Sequence, residues 1–133
     1  TKTETLLGGD PITTTYVYDG LGRLTGETKG EDSIAYTYDA NGNRIGMNRN
    51  GTVTTYAYDA NNRLLSETIG DAATAYTYDA NGNTLTAGDK TYTYNDRGQQ
   101  TGYSNGTTTA SYAYNPSGLR KAKTVGGSTK YFV

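Results

Sequence analysis

The chain has 133 residues, a net charge of −1 and 33% hydrophobic residues, well below the ~45–50% of an ordinary globular domain. With no basic stripe it lacks the electrostatic footprint of a nucleic-acid binder, and no run approaches the ~20 apolar residues of a membrane span. The absence of Cys and His removes disulfides, thiolate metal sites and Ser/His/Asp or Cys/His catalysis.

Two residue types carry the chain instead. Thr (25) and Tyr (14) supply 39 of the 133 residues, and both favour a pleated, half-buried surface. Gly is abundant at 18 and Pro scarce at 2, which suits many tight turns and few interruptions of a strand ladder. Turn signals fall in chain order at Gly8-Gly9, Asp19-Gly20, Asn41-Gly42, Asn50-Gly51, Asn81-Gly82, Asn105-Gly106 and Gly126-Gly127. Between them run extended segments, along which six Tyr-X-Tyr pairs recur: Tyr16/Tyr18, Tyr36/Tyr38, Tyr56/Tyr58, Tyr76/Tyr78, Tyr92/Tyr94 and Tyr112/Tyr114. The first members stand 20, 20, 20, 16 and 20 residues apart. Self-similarity at a fixed period marks a repeat protein.

The stretch from Arg44 shows one repeat whole. Arg44-Ile45-Gly46-Met47-Asn48-Arg49 meets Asn50-Gly51, followed by Thr52-Val53-Thr54-Thr55-Tyr56-Ala57-Tyr58 and Asp59-Ala60-Asn61-Asn62. Asn-Gly between two extended runs predicts a type I′ hairpin turn, because both central residues need φ > 0. Each repeat therefore reads as one β-hairpin. The whole reads as an all-β antiparallel meander of about twelve strands of roughly 5–7 residues, a single array of about six repeats over residues 1–133.

Side chains at i and i+2 share a strand face, so both rings of each pair point the same way, joined by Ile34, Thr54 or Thr74. The intervening Val17, Thr37, Ala57, Thr77, Thr93 and Ala113 predict a second face that is also partly packed. A sheet wound as a spiral would bring tyrosines of successive turns into register, with aromatic pairs on neighbouring strands adding ~0.2–1 kcal/mol each. The 16-residue step loses an even number of residues, which need not flip the faces. It predicts a shortened hairpin over residues 84–94.

The repeated acids invite an acid–base reading, but Asp19, Asp39, Asp59 and Asp79 occupy equivalent places, and paired catalytic carboxylates need unlike environments. Turn capping fits better: Asp and Asn side chains bond backbone N–H groups two residues on. Asp39-Ala40-Asn41-Gly42-Asn43 resembles the start of a calcium loop but lacks its Gly at position 6 and its acid at position 12. The sequence thus offers no catalytic, cofactor or metal-binding set. The candidate functional residues are the motif itself: the twelve paired tyrosines with Asp19, Asp39, Asp59 and Asp79.

The recurring strings Tyr36-Thr37-Tyr38-Asp39-Ala40-Asn41-Gly42-Asn43-Arg44 and Tyr16-Val17-Tyr18-Asp19-Gly20-Leu21-Gly22-Arg23-Leu24, with their counterparts from Tyr56 and Tyr76, resemble YD (RHS) repeats over about residues 12–133. The resemblance covers bacterial polymorphic toxins, shell subunits of insecticidal Tc-type toxin complexes, and teneurins. It implies a non-enzymatic structural module of a spiral β-sheet shell or tube, secreted or on a bacterial cell surface. The implied partners are neighbouring YD repeats or identical chains at open sheet edges, and an enclosed effector domain. The alternative it leaves is a cell-surface adhesion or carbohydrate-binding module, with exposed tyrosines meeting glycans. The Asp-Pro-X-X-Gly-Arg-Phe type of core segment that follows complete shells is absent. Asn95 and Asn115 replace the motif Asp, and the end at Lys130-Tyr131-Phe132-Val133 reads as an unfinished copy, in a fragment of something longer or in a unit continued by another chain.

Overall fold

The computed structural model describes the backbone of residues 2–4 and 12–132 and the side chains of residues 13–132; the turn expected at Gly8-Gly9 lies outside them. These residues form fourteen strands and no helix. The chain divides into two units, Thr1–Ala73 and Thr74–Val133, each an antiparallel meander.

The first unit holds β1 (Lys2–Glu4), β2 (Ile12–Tyr18), β3 (Leu24–Lys29), β4 (Asp32–Tyr38), β5 (Arg44–Arg49), β6 (Thr52–Tyr58) and β7 (Leu64–Ile69). Each pairs antiparallel with the next. The second holds β8 (Ala72–Tyr78), whose first two residues belong to the first unit, then β9 (Thr84–Ala87), β10 (Lys90–Tyr94), β11 (Gln100–Ser104), β12 (Thr109–Tyr114), β13 (Arg120–Val125) and β14 (Ser128–Tyr131). It pairs in the same serial way. The 16-residue step is the β9–β10 hairpin. Compared with β7 and β8, its strands each lose two residues, from six to four and from seven to five, so the loss is shared and the tyrosines keep their face.

Burial alternates along the tyrosine strands, with half-buried and exposed residues taking turns through β4 and through the end of β8. Tyr36, Tyr38, Tyr56, Tyr58, Tyr76 and Tyr78 are all half-buried. The opposite face differs from the expectation of partial packing: Val17 is 55% and Val53 49% exposed, and Thr37, Ala57, Thr77 and Thr93 are exposed too. Only Ala113 of that set is half-buried. These meanders are single layers, and no second layer of described residues covers that face.

Three of the four buried positions among the described residues follow a rule; the fourth is Ala122, at 9% exposure, opposite Ala113. Thr14, at 5% exposure, Thr54, at 1%, and Ala110, at 9%, all sit two residues before the first tyrosine of a pair. There the i+2 ring shields the side chain along its own strand, while cross-strand neighbours flank it: Met47 and Ile69 beside Thr54, Tyr103 and Val125 beside Ala110.

Every Tyr-X-Tyr strand also carries an irregularity at one place, where it pairs with the strand that follows it. The register shifts between Val17 and Tyr18, Thr37 and Tyr38, Ala57 and Tyr58, Thr77 and Tyr78, Thr93 and Tyr94, and Ala113 and Tyr114. In each case the returning strand holds one extra residue, a β-bulge that bends the strand and adds local twist. Ile45 is one such residue, since Thr37 faces Gly46 while Tyr38 faces Arg44. The next residue must be small: a Cβ on Gly46 would stand 2.5 Å from Thr37 Oγ1. Gly102 against Thr93 repeats this crowding, while other repeats place Ala57 opposite Ser66, Ala113 opposite Ala122, and Thr77 opposite Thr86, whose hydroxyls bond each other at 2.7 Å.

Candidate functional site

The motif tyrosines and acids converge on the turns that follow each pair. Each is a five-residue loop rather than the two-residue type I′ turn expected at Asp19-Gly20, Asn41-Gly42 and Asn81-Gly82. The Asp39 N–H donates to the Asn43 carbonyl (2.9 Å) and the Gly42 N–H to the Asp39 carbonyl (3.2 Å). Asn41 does not have positive φ; Gly42, at +88°, takes the left-handed place, where a side chain is strained. Asn62 holds that place in the third loop at +61°, as asparagine tolerates. Asn50-Gly51, with φ of 50° and 90°, is the type I′ turn the sequence predicts.

The aspartate holds its loop with both oxygens. Asp59 Oδ1 accepts the N–H groups of Asn61 (2.8 Å) and Arg63 (2.9 Å), and Oδ2 accepts Arg63 Nε (2.7 Å). Asp19 repeats this with Leu21 and Arg23. Asp79 uses Asn81 and Asn83. In the fifth loop Asn95 substitutes without loss: its Oδ1 accepts Arg97 and Gln99 N–H, and its amide donates to Gln99 Oε1. Bonds to the ionised form lower a carboxyl pKa. The backbone N–H of Arg23 and then its guanidinium lower Asp19, the backbone N–H of Arg63 is the main cause at Asp59, and the amides of Asn43 and Asn83 are the main causes at Asp39 and Asp79.

A folded pKa below the ordinary 3.8 gives stability that is full above that value and lost as pH falls through the lowered one. The β-sheet signal in circular dichroism is therefore expected to hold down to about pH 4 and weaken at lower pH. A melting temperature flat between pH 5 and pH 2, on the order of 1 °C or less of change, would remove the aspartate loops from the stability account.

In three loops the fifth residue then reaches forward. Arg23 donates to the Asp39 carbonyl (3.1 Å), Asn43 to Asn62 Oδ1 (2.8 Å), and Gln99 to the Gly118 carbonyl (2.9 Å). The second tyrosine of a pair reaches back. Tyr38 Oη donates to the Leu24 carbonyl (2.7 Å), Tyr58 to Arg44 (2.9 Å) and Tyr114 to Gln100 (2.8 Å). Arginines fill the space between rings. Arg23 lies 4.9 Å over Tyr38, Arg44 lies 5.5 Å over Tyr36 and 4.9 Å over Tyr56, and Arg120 lies 4.5 Å over Tyr112.

This corrects the expected ring-on-ring ladder. Across from Tyr16, Tyr36 and Tyr56 stand Glu27, Met47 and Glu67. The ring pair among the described contacts is Tyr92 with Tyr103, 5.5 Å apart, and Tyr103 lies outside the motif. The sequence reading named the tyrosines and acids but missed the forward-reaching fifth residue and the interleaved arginines. Their signal was present in Arg23, Asn43, Arg63, Asn83 and Gln99, all long or amide side chains four places after the motif Asp or Asn. At the last loop that place is Leu119, 68% exposed. Phe132, whose N–H bonds the Lys121 carbonyl, takes the place twenty residues after Tyr112, so the register of the next pair begins there and not at Tyr131.

Chemically, the arrangement binds strand to strand. A shallow dish of about 270 Å³ around Gly46 and Val53 lies on the other face, lined mainly by methyls and hydroxyls of Ala35, Thr37, Ile45 and Thr55. No group of three or more acids that could hold a metal occurs among the described residues.

A family model, Teneurin YD-shell, matches residues 1–132. No curated protein sequence matches the chain. Among solved structures, the crystal structure of TcdB2-TccC3-TEV superposes with a TM-score of 0.57 at 17% identity. The match covers 96% of this chain and 7% of that one, so the chain spans a small part of that neighbour's length.

Proposed function

Since the chain belongs to the teneurin YD-shell family, we propose that it serves as a structural, non-enzymatic wall segment, one array of about six YD repeats within a larger β-sheet shell or tube. The observation that carries this reading is the direction of the contacts. The fifth loop residue bonds the next repeat and the second tyrosine bonds the previous one, so the motif residues are spent on continuity of the sheet. A secreted or cell-surface bacterial setting, an effector behind the wall, and pairing with further repeats or identical chains at open edges complete the proposal. The glycan-binding alternative is less favoured, because the hydroxyls of Tyr38, Tyr58 and Tyr114 that would meet a sugar already donate to backbone carbonyls.

Unpaired strand edges template further pairing. At concentrations on the order of tens of micromolar, the purified chain is expected to associate edge to edge, seen by light scattering and as stacked particles in negative stain. A strictly monomeric chain would defeat the edge-pairing claim. Retention on a glycan array, lost in Tyr→Ala variants that keep their β-spectrum, would instead favour recognition.

A further inference from the structure

Asparagine followed by glycine is chemically labile, because the glycine nitrogen meets no side chain as it approaches the asparagine Cγ, and asparagine is a known weak point of proteins. The chain has four such steps, at Asn41, Asn50, Asn81 and Asn105, and the structure holds them very differently.

Asn50 is locked. Its Nδ2 donates to Asp32 Oδ1 (2.7 Å) and its Oδ1 accepts the Ser33 N–H (2.8 Å). Its own N–H bonds the Ser33 carbonyl, and the Gly51 nitrogen is engaged with Asn48 Oδ1 (2.9 Å). Arg49 holds Asp32 in place through two further bonds. Asn105 is held in part: its Oδ1 accepts the N–H groups of Thr107 and Thr108, and the Gly106 N–H bonds Ser104 Oγ. Asn41 and Asn81, exposed as Asn50 is, are held by backbone N–H bonds alone: Gly42 to the Asp39 carbonyl (3.2 Å), Gly82 to the Asp79 carbonyl (3.1 Å) and Asn81 to Asp79 Oδ1 (2.9 Å). Opening either loop for attack disturbs two backbone N–H bonds, that of the asparagine to the loop aspartate and that of the glycine, and none on the side-chain amide, whereas opening at Asn50 breaks four, two of them on the amide itself.

We propose that Asn41 and Asn81 are the sites of spontaneous deamidation in this protein, and that Asp32 protects Asn50 from the same fate. The Gly42 or Gly82 nitrogen attacks Cγ, its proton leaves with the side-chain amide as ammonia, and a five-membered succinimide closes. Water then opens the ring at either carbonyl, giving aspartate or isoaspartate. Each event adds a negative charge two residues from Asp39 or Asp79. The isoaspartate product also lengthens the main chain by one methylene inside a five-residue loop that its neighbours grip, so the sites age where repeats are joined.

The purified chain, held for weeks in mildly alkaline buffer, is digested and mapped by mass spectrometry with an isoaspartate-specific methylation assay. Asn41 and Asn81 are expected to convert at least about tenfold faster than Asn50, as several extra hydrogen bonds require. Asp32→Ala, with its fold checked by circular dichroism, is expected to bring Asn50 toward the rate of Asn41. Equal rates at Asn41 and Asn50 in the unaltered chain would overturn the proposal. So would a folded Asp32→Ala chain in which Asn50 stays as slow as before. Should that variant fail to fold, the unaltered chain's site-by-site rates decide alone.

Discussion

Thr54→Asp is expected to unfold the chain at far lower denaturant than the parent, with a loss on the order of 3 kcal/mol or more. Among the described residues Thr54 is the one side chain below 2% exposure, and it is closed in by Tyr56 along the strand and by Met47 and Ile69 across it. A carboxylate there would lose its water and find no cation opposite it. Thr54→Val loses only the hydroxyl's interactions and is expected to cost about 0.5–1.5 kcal/mol, the equivalent places in other repeats holding the apolar Ile34 and Ala110. Urea titrations followed by far-ultraviolet circular dichroism measure both. A Thr54→Asp midpoint equal to that of Thr54→Val would show that this place is not a dry centre.

Tyr38 supports the second large effect. Tyr38→Phe removes the bond to the Leu24 carbonyl and is expected to cost about 0.5–1.5 kcal/mol. Tyr38→Ala also removes the surface on which Arg23 stacks, and is expected to cost about 2–4 kcal/mol, less than a fully buried aromatic at the upper end. A double-mutant cycle with Arg23→Ala isolates the ring–guanidinium part, expected at about 0.5–1 kcal/mol for an exposed pair. Additive single effects would place Arg23's contribution wholly in its bonds to Asp19 and the Asp39 carbonyl.

These two expectations rest on parts of the molecule that differ in how openly the sequence displays them. Alternation around Tyr36 and Tyr38 puts both rings on one face without any three-dimensional information, since the strand period is two. The Asn50-Gly51 hairpin is equally open, as few other dipeptides accept two positive φ angles. The even loss at residues 84–94 could also be read, because only an odd loss would turn Tyr92 away from its face. The loops were harder. Asn41-Gly42 shares its dipeptide with Asn50-Gly51 and yet folds differently, because Asp39 two residues earlier captures backbone N–H groups and makes Gly42 the fourth residue of a longer loop. The bulges left no dipeptide signature. Thr25, Ile45, Leu65, Leu85, Thr101 and Lys121 share a place and no chemistry, and only the small residues after them, such as Gly26, Gly46 and Ser66, hint at the crowding. Arginine between rings was hidden for a related reason. Pairing depends on register across three strands, and the bulge shifts that register by one.

The two ends of the hairpins obey different rules. Where the aspartate loops lie, every connection has five residues, from 19–23 to 115–119, and both the shortened repeat and the asparagine-substituted loops keep that length. At the other end the connections run to two residues at Asn50-Gly51 and Gly88-Asp89 and to four at residues 105–108, and strand lengths change there too. Foreign peptide spliced into the chain should therefore be accepted on one side and refused on the other. An epitope or binding loop grafted between Asn105 and Thr108 extends a connection that already varies, whereas the same graft between Asp59 and Arg63 severs the bonds that carry one repeat into the next. For anyone building with such sheets, the natural attachment points lie along the margin that the motif does not mark.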